Sequence, residues 1–179
     1  MFLFYLYLYT VILISLTVSY VALALGVNAG LDLALGVTTT QAIRQQVATS
    51  VGVFVVSLPL WLGHWFWLRR TLPDLADPRF TVLAWFHRFY LYAVLGLSVL
   101  AVLGWGSAAV TTLVGVLIGA QQAGPQAVAN FGTRFGLLFI SCLLWVFHWQ
   151  DLATVPIRED HVALPPAPPA PSTAAESLP

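Results

Sequence analysis

The sequence predicts an all-α membrane fold: four transmembrane helices arranged as two parallel-repeat helical hairpins, with short interfacial helices and a disordered proline-rich C-terminal tail. Three observations predict it. Of 179 residues, 59% are hydrophobic and 8% charged, where a soluble domain carries roughly 25% charged. The apolar residues fall into four runs, each long enough for a span of roughly 20 residues. The second half of the chain also repeats the first.

The first run, residues 1–25, opens on an aromatic stretch, Phe2, Phe4, Tyr5, Tyr7 and Tyr9, suited to an interfacial belt. It has no basic n-region, since the first arginine is Arg44, and it exceeds the roughly 7–15 residues of a signal core. It is therefore expected as a retained transmembrane helix. Residues 26–46, with Asn28, Asp32 and Arg44, are too polar to span, and residues 30–35 are expected as a short surface helix. The second run, residues 47–68, contains Pro59 and stops at Arg69-Arg70. The proline removes a backbone donor, which membrane helices tolerate when neighbours satisfy the freed carbonyl.

Residues 71–81 form a loop containing Pro73, Asp74, Asp77, Pro78 and Arg79. The third run, residues 82–103, is followed by apolar but small residues. By comparison with the first half, residues 108–120 are expected as an interfacial or re-entrant helix and not as part of a span. The fourth run, residues 131–149, is stopped by Gln150-Asp151. Gly115 with Gly119 and Gly132 with Gly136 have the spacing of close helix packing. The organisation is then a first hairpin over 1–70, a cytoplasmic loop over 71–81, a second hairpin over 82–152, and a Pro/Ala-rich cytoplasmic tail over 153–179. Polyproline composition in that tail cannot bury a core. Its residues 165–179, bounded by Pro165 and Pro179, suit a segment that lies across a protein partner.

The repeat is carried by rare residues. At an offset of 84, Ser57, Leu60, Trp61, His64 and Trp65 match Ser141, Leu144, Trp145, His148 and Trp149. At an offset of 85, Phe4-Tyr5-Leu6-Tyr7 matches Phe89-Tyr90-Leu91-Tyr92. Each half holds an even number of spans, so both enter the membrane from the same side, related by a pseudo-two-fold axis along the membrane normal. Arg69, Arg70, Arg79 and Arg88 cluster around the central loop. The positive-inside rule therefore places that loop and both termini in the cytoplasm.

An ionisable ring near the end of a span is a functional candidate. Helical spacing puts Ser57, Trp61, His64 and Leu68 on one stripe, and Ser141, Trp145, His148 and Leu152 on its counterpart. One reading is an interfacial anchor, in which amphipathic rings straddle lipid and water. Another is a ligand pair: His64 and His148, with Trp61 and Trp145 beside them, gripping a haem b or chlorophyll-type pigment within the bundle. A zinc site recruiting His87 is a third, without a carboxylate or thiolate to assist. The single cysteine, Cys142, lies in an apolar run and allows neither a disulfide within the chain nor a thiolate metal site. The seven acidic residues all fall in loops or the tail, which argues against an ion-coupled transporter. No nucleophile elbow, phosphate loop or zinc-protease motif is present. The net charge of zero, with seven arginines and no lysine, offers no basic face for nucleic acid.

Over about residues 2–150 the chain resembles a bacterial four-helix transmembrane domain family of unknown function. The resemblance rests on the paired Phe-Tyr-Leu-Tyr stretches. It rests equally on Leu60-Trp61-x-x-His64-Trp65-x-x-Leu68-Arg69-Arg70 with its second copy Leu144-Trp145-x-x-His148-Trp149. The second copy runs on into Gln150-Asp151, without the arginine pair. The resemblance implies a fold of two helical hairpins and no assigned activity or cofactor. The function expected is a non-catalytic accessory subunit of a larger respiratory or photosynthetic complex in the bacterial inner membrane, surrounded by lipid and by protein partners. The alternative is a bis-histidine haem b or pigment carrier using His64 and His148.

Overall fold

The computed structural model describes residues 2–75 and 77–154. Its helices are α1 (Phe2–Ala34), α2 (Gln41–Thr71), α3 (Thr81–Leu117) and α4 (Pro125–Thr154), with a 3-10 turn at Pro78–Phe80 before α3. No strand occurs among the described residues, and all four helices are long and apolar enough to cross a membrane. The fold is the four-helix, two-hairpin class that composition and periodicity imply. The proline-rich tail, including the segment bounded by Pro165 and Pro179, lies outside the described residues.

The short interfacial helices need correction. Residues 30–34 are the last turn of α1, and residues 108–117 are the last three turns of α3; neither is a separate element. Polarity at Asn28 and Asp32 marks where a helix can leave hydrocarbon, not where its backbone stops hydrogen bonding. At 1.5 Å per residue the 33 residues of α1 and 37 of α3 reach about 50 and 55 Å. A hydrocarbon core is about 30 Å thick, so both helices project well beyond it. What ends them is glycine. Gly36 (φ 66°) and Gly119 (φ 73°) hold left-handed conformations at matching places in the two halves. Gly36 N–H donates to the Leu33 carbonyl and Gly119 N–H to the Val116 carbonyl, at 3.3 and 3.1 Å, closing the helix ends with left-handed C-caps.

Each second helix then starts on its own signal. Thr40 is extended (φ −67°, ψ 154°) and its side chain accepts from the Ile43 N–H at 3.4 Å, an N-cap. Pro125 opens α4, where its missing N–H costs nothing and its φ is already helical. In the central loop Arg79 donates to Asp77 through Nε and Nη2, at 3.0 and 2.6 Å to Oδ2. Those bonds, joined by the Arg79 backbone N–H, hold the Asp77 carboxyl below its ordinary range.

Helix α1 packs along α2 and α3 along α4, and the hairpins meet mainly through α1 against α4, with a briefer contact of α1 on α3. No Cα of α2 comes within 8 Å of α3 or α4. The two ends of the bundle differ. One end carries the apolar core, built around Tyr5, Tyr9, Trp61, Trp65, Tyr90 and Leu91. The other buries small side chains, among them Ala22, Ala29, Ala109 and Ala129, so backbones approach closely. A Cβ at Gly26 would lie 3.2 Å from Ser50 Cβ, and one at Gly132 the same distance from Leu31 Cδ1. Of the glycines with close-packing spacing, only Gly132 is used that way: Gly136 faces open space, Gly119 is a cap, and Gly115 meets the Gln121 side chain. The outward faces stay apolar, with Val56, Leu100 and Leu117 each 66–74% exposed, as a lipid environment requires.

The caps yield a test. Gly36→Val and Gly119→Val should each destabilise the protein by about 1–2 kcal/mol, the cost of forcing a branched side chain into left-handed backbone. Gly63→Ala, mid-helix with open space around its Cβ position, should stabilise by about 0.5–1 kcal/mol. Thermal unfolding in detergent micelles reads both. Equal behaviour of the three variants would contradict the cap assignment.

Candidate functional site

The ionisable and aromatic side chains singled out by the repeat come to one end of the bundle, where the N-terminus of α1, the C-terminus of α2, the N-terminus of α3 and the C-terminus of α4 meet. Alternating direction along the chain brings them there. Because α2 keeps its backbone away from the second hairpin, only long side chains cross the gap. The Trp65 ring lies 5.9 Å from Tyr90, 5.6 Å from His148 and 5.9 Å from Phe147. Trp61 reaches Phe147 at 6.3 Å. One turn past Trp65, Arg69 bonds Asp151 at 3.0 Å while its guanidinium carbon sits 6.0 Å over the Trp65 ring.

The four residues expected as a ligand set are placed unequally. His148 is fully buried, and so is Trp61 to within 8% exposure. Trp145 is 36% exposed and stacks on Trp149, rings 5.6 Å apart and 23° from parallel. His64 is half-buried, its ring 6.2 Å from Tyr7 and 6.3 Å from Trp67, two rings that are themselves half-exposed. The rings beside His64 and those beside His148 are thus different sets. The two motif copies turn opposite faces inward: the first buries its tryptophans, Trp61 and Trp65, and the second buries its histidine. Trp65, not His64, is the side chain of the first copy that packs on His148.

One feature is common to both copies. His64 Nδ1 donates to the Leu60 carbonyl at 2.8 Å, and His148 Nδ1 to the Leu144 carbonyl at 2.9 Å. A carbonyl can only accept, so Nδ1 carries a proton in both rings, and in the neutral form of either the lone pair is on Nε2. At His148 that lone pair faces the Tyr90 hydroxyl at 3.4 Å, long for a hydrogen bond. The indole N–H of Trp65 has no hydrogen-bond partner among the described residues.

Sequence reasoning gave no site role to two members of this cluster, Tyr90 and Asp151, and weighed a third, His87, only as a zinc ligand. His87 is buried, with Nδ1 2.7 Å from the Tyr9 hydroxyl across the hairpins. Tyr90 sits between Tyr9, Trp65 and His148. Asp151, taken from the sequence as a stop signal, is buried and paired with Arg69. The signal was present: Asp151 follows His148 by three positions and Arg69 follows Trp65 by four, one helical turn each. Among the described residues no three His, Cys, Asp or Glu side chains converge as metal ligands.

Fold and site together define a class: a duplicated-hairpin bundle of membrane-spanning character, closed at one end by an imidazole–aromatic cluster. The chain belongs to the DUF5671 family, a domain of unknown function, whose pattern matches residues 5–135. No curated protein and no solved structure matches it.

The inversion of the motif gives a sharp contrast. Trp65→Ala removes a 1%-exposed ring and should cost about 3–5 kcal/mol. Trp149→Ala, its repeat partner at 52% exposure, should stay within about 0.5 kcal/mol. Chemical or thermal unfolding in the same detergent measures both, and similar losses at the two positions would refute the inverted burial.

Proposed function

We propose that the protein is a non-catalytic, multi-pass accessory subunit of a larger membrane complex of the respiratory or photosynthetic kind. It sits in the bacterial inner membrane with both termini cytoplasmic. One observation carries this reading: apart from half-buried His64, the ionisable groups of the cluster, Arg69, Asp151, His87 and His148, meet partners on the other hairpin and not an open site. Arg69 engages Asp151, Tyr9 engages His87, and Trp65 covers His148. Such a cluster serves to lock hairpins together. Outside it, the lateral surface is broad and apolar, and α2 has backbone contact with α1 alone. That leaves much of α2 available to neighbouring helices, with the tail bounded by Pro165 and Pro179 as a second contact.

The orientation rests on Arg69, Arg70, Arg79 and Arg88 around the α2–α3 loop, following the positive-inside rule. A reporter active only in the cytoplasm should work when fused after Pro179 or inserted in the α2–α3 loop, and fail when inserted after Gly124. The reverse pattern would overturn the orientation. For the subunit role, the full chain isolated from its native membranes in mild detergent should run as a discrete complex with stoichiometric, reproducible partners. Isolation as a lone chain would refute it.

A second reading has one observation in its favour: His64 and His148 both spend Nδ1 on a backbone carbonyl and leave Nε2 for other partners, the Tyr90 hydroxyl at His148. Binding of haem b or a chlorophyll-type pigment there requires Trp65 to give up its place against His148. A reduced-minus-oxidised spectrum of the native protein that loses its bands in both His64→Ala and His148→Ala would establish that reading. A colourless preparation would end it.

A further inference from the structure

A cavity of about 200 Å³ lies between α1, α3 and α4, away from the closed end. It lies where α1 and α3 have little backbone contact with each other, and residues of α4 complete its lining. Its floor is buried Leu16, Val94, Ser98 and Ser141, with Leu144 behind; its rim is Thr17 on α1 and Leu97 on α3, both exposed. The opening therefore faces sideways, toward the acyl region of a bilayer and not toward water.

Four hydroxyls line it, and none has a proton to offer. Thr17 donates to the Leu13 carbonyl at 2.8 Å and Ser98 to the Val94 carbonyl at 2.8 Å. Ser141 donates to the Leu137 carbonyl at 2.7 Å, which leaves Tyr20 as the donor in its 2.8 Å bond to Ser141. Tyr20 in turn accepts the Trp105 indole N–H at 2.7 Å. A hydroxyl has one proton and two acceptor positions, so the polar part of this wall presents acceptors only. Ser98 is 6% exposed and its oxygen accepts nothing among the described residues. An occupant whose only polar groups are acceptors would face lone pairs, whereas one with an O–H would find its acceptor ready.

Size narrows the class further. A dry cavity of about 150 Å³ lined by aliphatic side chains accepts a benzene-sized ring, so this one suits a six-membered ring with a hydroxyl, its chain left in the bilayer. We propose that the cavity binds the ring of a membrane-dissolved phenol or hydroquinone, with Ser98 Oγ accepting from the ligand hydroxyl. This goes beyond an accessory role, because it gives the subunit a ligand of its own.

The test uses the full chain in lipid nanodiscs and two photoactivatable probes, a diazirine-tagged 4-alkylphenol and its methyl ether, matched in shape and differing in the O–H. Labelled peptides are mapped by mass spectrometry. The phenol should label the α1 and α3 segments lining the cavity about fivefold more than the ether, the preference one net hydrogen bond supplies. Ser98→Ala, which removes the acceptor and keeps the space, should bring phenol labelling down to the level of the ether. Ala101→Phe, which fills the cavity from its α3 wall, should abolish labelling by both. Equal labelling by the two probes, or a phenol preference that survives Ser98→Ala, would overturn the proposal.

Discussion

The gap between α2 and the second hairpin is the constraint on which the closed end depends. With no Cα of α2 within 8 Å of α3 or α4, ordinary ridge-into-groove packing is impossible there, and small side chains would leave a void. A void forfeits dispersion contacts along its whole lining. The gap is bridged by the longest side chains available: Trp61 and Trp65 for area, Arg69 for reach. Each lands on a partner of matching chemistry, aromatic rings for the indoles and the Asp151 carboxylate for the guanidinium. Tryptophan is also stiff, with two side-chain torsions, so it spans the distance at small entropic loss. The hairpins are thus joined by a few large side chains at one end and by close backbone approach at the other.

That division explains why a duplicated sequence does not give a symmetric structure. In a strict two-fold arrangement, α2 against α3 would mirror α4 against α1. The α1–α4 contact is present and its counterpart is not, so the two copies of Leu-Trp-x-x-His-Trp meet different surroundings. The first must reach outward and turns its tryptophans to the gap. The second is already enclosed and turns its histidine inward, leaving Trp145 and Trp149 to stack on the surface. What both copies retain is the local bond of Nδ1 to the carbonyl one turn back, which depends only on helix geometry and survives either placement.

The parts legible in the sequence follow the same line between local and tertiary causes. Four spans, two hairpins and an aromatic end could be read because hydropathy, run length and residue rarity are properties of the chain itself. Helix ends were misread where polarity stood in for backbone bonding: Asn28 and Asp32 do not stop α1, and Gly36 does. The glycines carried that information, since Gly36 and Gly119 each follow a periodic run and precede a polar stretch. The inverted burial had no local signal. Which face of α2 turns inward is decided by how far away the second hairpin lies, and the partners of His148 and His87 sit 58 and 78 positions distant. Asp151 was an intermediate case, with its one-turn spacing visible and its partner not.

Most of the hydroxyls along the helices away from the closed end obey a constraint set by the absence of water in hydrocarbon, where an unmet donor costs several kcal/mol; buried Thr133, whose hydroxyl has no partner among the described residues, is an exception. Ser15, Thr17, Ser98 and Ser141 each return their proton to a carbonyl one turn back, satisfying the donor without help from another helix. This local solution is general for hydroxyls on membrane helices, and it has a directional consequence. A donor left unmet in hydrocarbon is expensive, while a hydroxyl oxygen with a spare lone pair is tolerated more easily. Where such hydroxyls line a cavity, as between α1, α3 and α4, the wall becomes acceptor-rich by default. The pairing of Trp105 with Tyr20 and Ser141 adds to this, because it directs the one phenolic proton in the wall into the protein. The selectivity of the cavity for a donor therefore follows from the same requirement that keeps the helices satisfied within the bilayer.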